Sequence, residues 1–420
     1  MDNSLPVDHL TRERFIVATD INHSLVCPAG SGKTHSIVGR VKSLAQRPDA
    51  EDVLRRLVLV TFTKKAAEEM QVRARESLDA AGVSGAVRGA FNQAYFGTIH
   101  AFAVLLLQTY GHHIGVPSSF EVSMNDDLTW ARFLREWSGQ ENLWSDPRAK
   151  RIVRNVSLHE ILKLARKWDF ARPVTERADA PAYNFAPIYD FPQPKRQDTA
   201  RNIAAFQKAL RKWEKAWVAG NDDSFLAMPV PEKGGKEFLS TALNALGPVR
   251  KWLNEEAAWL ASEIAAAYQK YRIAAGVLTF SDQLNLAVKL VRHPVAIDEI
   301  RKRGFRVILD EAQDTDPEQF EILLEVVRPL GASGKWSEGK DGPEGGRFTM
   351  VGDPQQSIYR ARADLETYRR AHDYIVSNNG ESLSYEVTFR CDEAIIETAN
   401  RWFPSLRDGQ GGQVKFVHLT

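Results

Sequence analysis

Two carboxylates that follow a short apolar run, Asp310 and Glu311 in VILDEAQDTD (307–316), have the spacing for phosphoryl chemistry. The first of such a pair can hold Mg²⁺, usually through water, and the second can orient an attacking water. About forty residues on, TMVGDPQQSIY (349–359) reads as another apolar strand, running into a polar turn with Gln355 and Gln356. A neutral amide there can hydrogen-bond a terminal phosphate without adding charge, and so can register its presence. A third segment, SLVCPAGSGKT (24–34), supplies what the other two lack. Its small residues Cys27, Pro28, Ala29, Gly30, Ser31 and Gly32 let successive backbone N–H groups face phosphate oxygens, and the following helix adds its positive dipole end. Lys33 would reach the outer phosphates, and the Thr34 hydroxyl would ligate Mg²⁺. The pattern G-x-x-x-x-G-K-T is met at Gly32, Lys33 and Thr34. Cys27 stands where the first glycine belongs, and a small residue serves there if φ need not be positive. Together the segments point to a nucleoside triphosphate with Mg²⁺.

Such residues need a sheet to carry them. Residues 25–26, 57–62 and 96–99 are short apolar strand candidates, and 35–45, 65–80 and 101–110 have helical period. This alternation implies a parallel sheet with ligands at the carboxyl ends of its strands. From 116 to 275 the character changes. Eight of the ten tryptophans fall here, helical periodicity dominates, and a long helix from about residue 249 stops at Gly276. The stretch PAYNFAPIYDFPQPK (181–195) reads as a loop. Strand character returns at 305–309 and 348–351. The chain therefore reads as an α/β domain interrupted by a mostly helical insertion.

Composition sets the bounds. At 420 residues two or three domains are expected, and 43% hydrophobic with 26% charged residues is ordinary for a soluble globular protein. No apolar run approaches the ~20 residues that span a bilayer, and the N-terminus has no signal-peptide core, so no membrane partner is expected. The two cysteines, Cys27 and Cys391, make neither a zinc site nor a disulfide framework, and a reducing, cytoplasmic setting is the expectation. A net charge of +1 leaves nucleic-acid contact to a local patch. Residues 148–217 carry an excess of nine cations; RAKRIVR (148–154) and KALRKWEKAW (208–217) are rich in them, the second with two indoles among its cations. A charged run is more often a solvated helix face.

Four more segments complete an ordered set: TFTKKAAEEM (61–70), GTIHAF (97–102), TFSDQL (279–284) and TFR (388–390). With CPAGSGKT, DEAQDTDPEQ and VGDPQQSIY, they make the chain resemble the UvrD/Rep-type superfamily 1 DNA helicases, leaning to the AddA/RecB side. The resemblance covers residues of about 10–115 and 275–403. It implies a RecA-like P-loop NTPase domain 1A formed by 1–115 and 276–378, a helical insertion domain 1B at 116–275, and the start of a second RecA-like domain 2A at 379–420. It implies ATP and Mg²⁺ as cofactors, with Lys33 on phosphate, Thr34 and Asp310 on the metal, and Glu311 as base. By the same resemblance Gln356 senses the terminal phosphate and Arg390 grips it, which suits a guanidinium that is always charged and can bind bidentately.

The DNA track follows from the same source, with Thr61, Phe62, His100 and Tyr359 at its motif positions. An exposed aromatic at a strand end offers a face for stacking bases; Phe102, on an apolar helix, reads as core. Single-stranded DNA and duplex junctions are the implied partners, with movement 3′ to 5′ and a nuclease or repair protein alongside. Three departures stand out. Arg14 lies near the place of the family's adenine-reading Gln, Ala361 replaces an aromatic after Tyr359, and the chain stops at Thr420 within VKFVHLT, before the family's later motifs. They leave two expectations, a truncated translocase or an ATP-dependent DNA-binding switch subunit of a nuclease or defence complex.

Overall fold

The computed structural model describes residues 6–137, 146–168, 179–218, 227–338, 341–357, 365–390 and 392–406. The chain forms two compact units, 1–123 with 278–420, and 124–277.

The first unit is built on six parallel strands: β1 (His23–Val26), β2 (Leu57–Thr61), β3 (Tyr95–Thr98), β4 (Arg306–Leu309), β5 (Phe348–Gly352) and β6 (Glu381–Ser384). Their spatial order is β3-β2-β4-β5-β1-β6. Every residue of β2 (LVLVT) and β5 (FTMVG) is buried, as expected of central strands covered by helices on both faces. The helices are α1 (His9–Val17), α2 (Lys33–Ala45), α3 (Lys64–Ala80), α4 (Ile99–Tyr110), α5 (Phe280–Val291), α6 (Pro294–Lys302), α7 (Pro317–Glu325), α8 (Leu365–Ser377) and α9 (Glu393–Leu406), with shorter ones between. Register decides what meets at the sheet's edge. Val26 pairs with Gly352, Leu309 with Met350, Val60 with Leu309, and Thr61 with Thr98. Five motif-bearing segments therefore leave the sheet at the same carboxyl edge.

Two differences from the sequence reading concern boundaries. A division at residue 379 would put Glu381–Ser384 in a second domain, yet this strand pairs in parallel with β1, from His23↔Glu381 to Val26↔Ser384. Its alternation of half-buried and exposed residues is that of an edge strand, which carries no run of apolar residues to announce it. The second concerns the long helix of the other unit. It runs Lys236–Ala274, starting well before residue 249, and passes through Pro248. Buried Phe238, Ala242, Leu246, Val249 and Leu253 keep the helical spacing across the proline, and that packing outweighs the roughly 3 kcal/mol an interior proline costs.

The regular structure described within residues 124–276 is helical. Trp130, Phe133 and Trp137 pack with Leu260 and Ile264 on one stretch of the long helix, and Ile203, Phe206, Leu210 and Trp213 pack with Phe238 and Leu246 on another. The indoles of the second basic segment, Trp213 and Trp217, belong to this packing. Trp213 is only 2% exposed and donates its Nε1–H to Asn155 Oδ1 at 2.8 Å, while the Arg151 guanidinium lies 4.6 Å from the Trp217 ring. Trp213 is thus core and offers no face to a base. Among the described residues no helix is long and apolar enough to cross a membrane.

Candidate functional site

The loop between β1 and α2 folds as its small residues allow. Gly30 and Gly32 take φ of +78° and +88°, the left-handed region that glycine occupies without penalty. Cys27 is absent from the positive-φ residues, so a Cβ is tolerated where the pattern has glycine. Its backbone N–H donates to Gly352 O at 2.9 Å, tying the loop to the end of β5. The Cys27 thiol is buried, and burial pushes its pKa up, which leaves it a packing residue. Gly32 caps α2, and Lys33 and Thr34 begin it.

Lys33 reaches across to the acidic strand end, where its Nζ donates to Glu311 Oε2 at 2.8 Å. Glu311 itself has φ +53° and ψ +43°, uncommon for a residue with a side chain and of the kind that gathers at functional sites. Asp310 is 7% exposed; burial, and then the Glu311 carboxylate beside it, push its carboxyl up to about 6. Thr34, Asp310, Glu311, Asp314 and Gln356 line one cavity of about 420 Å³.

Gln313, given no role from sequence, joins the two acidic segments. Its Nε2 donates to Glu311 Oε2 at 2.9 Å and to Asp314 Oδ2 at 3.1 Å, and its Oε1 accepts the Asp353 N–H at 2.9 Å. Asp353 in turn accepts from Gln355 N at 3.0 Å and from Gln356 Nε2 at 2.7 Å. A chain of hydrogen bonds thus runs from Glu311 to Gln356.

The TFR segment docks on the phosphate loop. The Thr388 hydroxyl donates to Ala29 O at 2.8 Å, and Phe389 N donates to Gly30 O at 3.0 Å. A Cβ on Gly30 would overlap the Arg390 Cβ and lie 2.8 Å from the Thr388 hydroxyl. Arg390 is thereby held beside the loop with its side chain exposed. Arg12 on α1, also missed from sequence, clamps the same junction. Its Nη1 donates to Ser31 O at 2.5 Å and its Nη2 to Val387 O at 3.1 Å, and its guanidinium lies over the Tyr385 and Phe389 rings at 4.2 and 4.9 Å. Arg14 instead pairs with Glu381 at 2.6 Å.

Near the same cavity, threonines start helices. Thr63 accepts from Ala66 N, Thr98 from Ala101 N, and Thr279 forms a capping box with Asp282. Thr61 is buried and its hydroxyl donates to Thr63 O at 2.7 Å, which gives it a turn-shaping place rather than a strand-facing one. Phe62 is 52% exposed. The His100 ring stacks on Phe280, with centroids 4.4 Å apart at 23°, and Phe280 is 58% exposed. The TFSDQL motif does not by itself single out Phe280; an aromatic directly after a capping Thr is the available signal. Phe102 is fully buried. Tyr359 and Ala361 lie outside the described residues. Phe62, His100 and Phe280 line a second cavity of about 420 Å³, which shares Thr61, Phe62, Asp310, Glu311 and Asp314 with the first.

A parallel sheet wound in this order, with a phosphate loop between its first strand and the next helix, is that of the RecA-like P-loop nucleotide hydrolases. The pattern of the UvrD/REP helicase N-terminal domain matches residues 12–374, and the chain belongs to that family. Among curated proteins it is similar to an ATP-dependent helicase/nuclease subunit from Lysinibacillus sphaericus (strain C3-41), at 21% identity over 92% of this chain and 39% of that protein. The proteins of the same name from Natranaerobius thermophilus and Staphylococcus aureus (strain USA300) are 21% and 22% identical over 96% of this chain, and 38% and 39% of their own length. The chain spans about two fifths of the length of these relatives.

The close fit at Gly30 gives a direct test. Gly30→Ala must strain a positive-φ site and push the Arg390 segment away, so its unfolding midpoint should fall by the equivalent of ~1–3 kcal/mol. Gly247→Ala, inside a helix with open space around it, should hold or raise the midpoint. Equal midpoints for the two variants in a thermal scan would contradict the docking.

Proposed function

We propose that this chain binds ATP with Mg²⁺ and couples hydrolysis to movement on single-stranded DNA, as the ATPase portion of a helicase. One observation carries the reading: the cavity holding Thr34, Asp310, Glu311 and Gln356 adjoins the one holding Phe62, His100 and Phe280, and the two share lining residues. A change at the nucleotide therefore has a short physical route to a surface of exposed aromatics.

The residues fit the cofactors. A buried carboxylate and a hydroxyl at one cavity are hard oxygen donors of the kind Mg²⁺ takes, and the positive-φ glycines beside Lys33 leave the backbone open to phosphate. Bound MgATP supplies a phosphoanhydride for in-line attack by water. Lys33 would turn from Glu311 to the outer phosphates, which frees that carboxylate to orient water and accept its proton. Asp310 and Thr34 would hold the metal, Gln356 would offer its amide to the terminal phosphate, and Arg390 would add a cation from the docked TFR segment. In domain terms, the sheet-bearing unit corresponds to 1A, the unit 124–277 to 1B, and the segment from about residue 387 to the beginning of 2A.

Phe62, His100 and Phe280 would stack bases of any sequence, and Thr61 would shape the turn that presents Phe62. Tyr359 belongs to the same track by motif. Polarity of 3′ to 5′, action at duplex junctions in DNA repair, and a companion protein with nuclease activity complete the proposal. The last draws on the helicase/nuclease named in the relatives' description.

Glu311→Gln keeps the size of the side chain and its amide can still meet Lys33, but it accepts no proton. ATP affinity should persist while turnover drops at least ~100-fold. Normal turnover would remove Glu311 as the base. On the DNA side, Phe62→Ala with Phe280→Ala should weaken single-strand binding by ~1–3 kcal/mol for each base unstacked, alike on mixed sequences. The salt slope should stay the same, because phosphate contacts are untouched. Unchanged affinity in a fluorescence titration would take both rings off the track.

A further inference from the structure

A cluster of ligand-type side chains lies outside both cavities. His112 and His113 sit on the short turn Gly111–Ile114 directly after α4, and Glu299 lies on α6. One ring nitrogen from each histidine and one carboxylate oxygen all lie within 4.8 Å of one another. His113 Nε2 is 3.0 Å from Glu299 Oε2, and the two histidine rings are 4.1 Å apart at 35°. The turn that delivers them is fixed by backbone: Gly115 closes it at φ +79°, Gly115 N donates to His112 O, and Val116 N donates to Gly111 O. A third imidazole, His293, stacks 5.8 Å from His113 and is engaged in capping α6 through Nδ1.

We propose that His112, His113 and Glu299 form a binding site for one divalent transition-metal ion of the zinc type. Two imidazoles and a carboxylate suit zinc, nickel or copper, whereas Mg²⁺ and Ca²⁺ seek shells made wholly of oxygen. A tetrahedral ion with bonds of about 2.0–2.1 Å holds its ligand atoms ~3.3–3.5 Å apart, close to the separation the His113–Glu299 pair already has. The ion would take the place of the proton shared by that pair. His113 is half-buried and so aimed, while exposed His112 and Glu299 can adjust their rotamers and leave a further position to water. Glu299 already turns a carboxylate oxygen to His113 Nε2, so the two ligand atoms face each other before any ion enters. The charge of Lys302, which acts on Glu299, works against metal uptake.

The site has a mechanical consequence. It joins the carboxyl end of α4 to α6, which directly follows α5. The amino ends of α4 and α5 carry the stacked His100 and Phe280, roughly 18 Å away along a twelve-residue helix. Bound metal would staple the far end of this helix pair and stabilise the unit by mass action.

The test is a titration of the chelator-stripped 420-residue chain with Zn²⁺ alone, by calorimetry and by unfolding midpoint, in excess Mg²⁺ to fill hard-oxygen sites. One equivalent should bind saturably and raise the midpoint. His112→Ala with His113→Ala, and separately Glu299→Gln, should each weaken uptake roughly tenfold or more. Glu299→Gln keeps the side chain's size, so its loss of binding reflects the lost ligand rather than unfolding. Absence of saturable uptake, a midpoint that does not rise, or uptake by both variants equal to that of the parent chain would overturn the proposal.

Discussion

Lys33 reaches into the group of carboxylates gathered at the sheet's carboxyl edge. It bonds Glu311 directly and its charge reaches Asp310, Asp314 and Asp353, each of which is pushed toward protonation first of all by burial. Charge of one sign in such surroundings is costly unless cations or hydrogen bonds compensate it. Much of the local architecture answers that constraint. The left-handed backbone of Glu311 turns its side chain to Lys33, the Gln313 amide bonds both Glu311 and Asp314, and Asp353 is held by Gln355 and Gln356. A divalent cation bound with a polyphosphate would answer it further, which is why surplus acid and a phosphate loop belong in one site.

The same hydrogen bonds give the site a means of communication. Gln313 sits between Glu311 and Asp353, and Asp353 holds Gln356, so the β4 and β5 strand ends cannot rearrange independently. Across the loop, Arg12 and Thr388 fasten segments that are hundreds of residues apart in sequence to Ser31 and Ala29. The phosphate loop is thus gripped from three sides: by β5 through Cys27, by α1 through Arg12, and by the TFR segment. Nucleotide contacts that shift any one of these would be felt by the others.

The sheet and the chemistry of its edge are legible in the sequence because both leave local marks. Short apolar runs, two to six residues long, reveal β1, β2, β4 and β5 and, with them, Lys33, Thr34, Asp310 and Glu311. What stays hidden depends on distant partners or on polar packing. β6 reads ESLS and gains its place only by pairing with β1. Arg12 looks like any charged helix residue until Val387, 375 positions away, is seen beside it. Pro248 reads as a helix start unless the buried positions on either side of it are counted as one face. Trp213, grouped with cations in the sequence, is core in the structure.

In the proposed nucleotide site Lys33 is the phosphate cation, and calorimetry of Mg²⁺-dependent ATP binding tests that role most directly. Lys33→Ala removes the cation while leaving Gly30, Gly32 and the docked TFR segment in place. The parent chain should bind ATP, and the variant, folded by circular dichroism, should lose measurable binding. Equal affinity in the two proteins would contradict it.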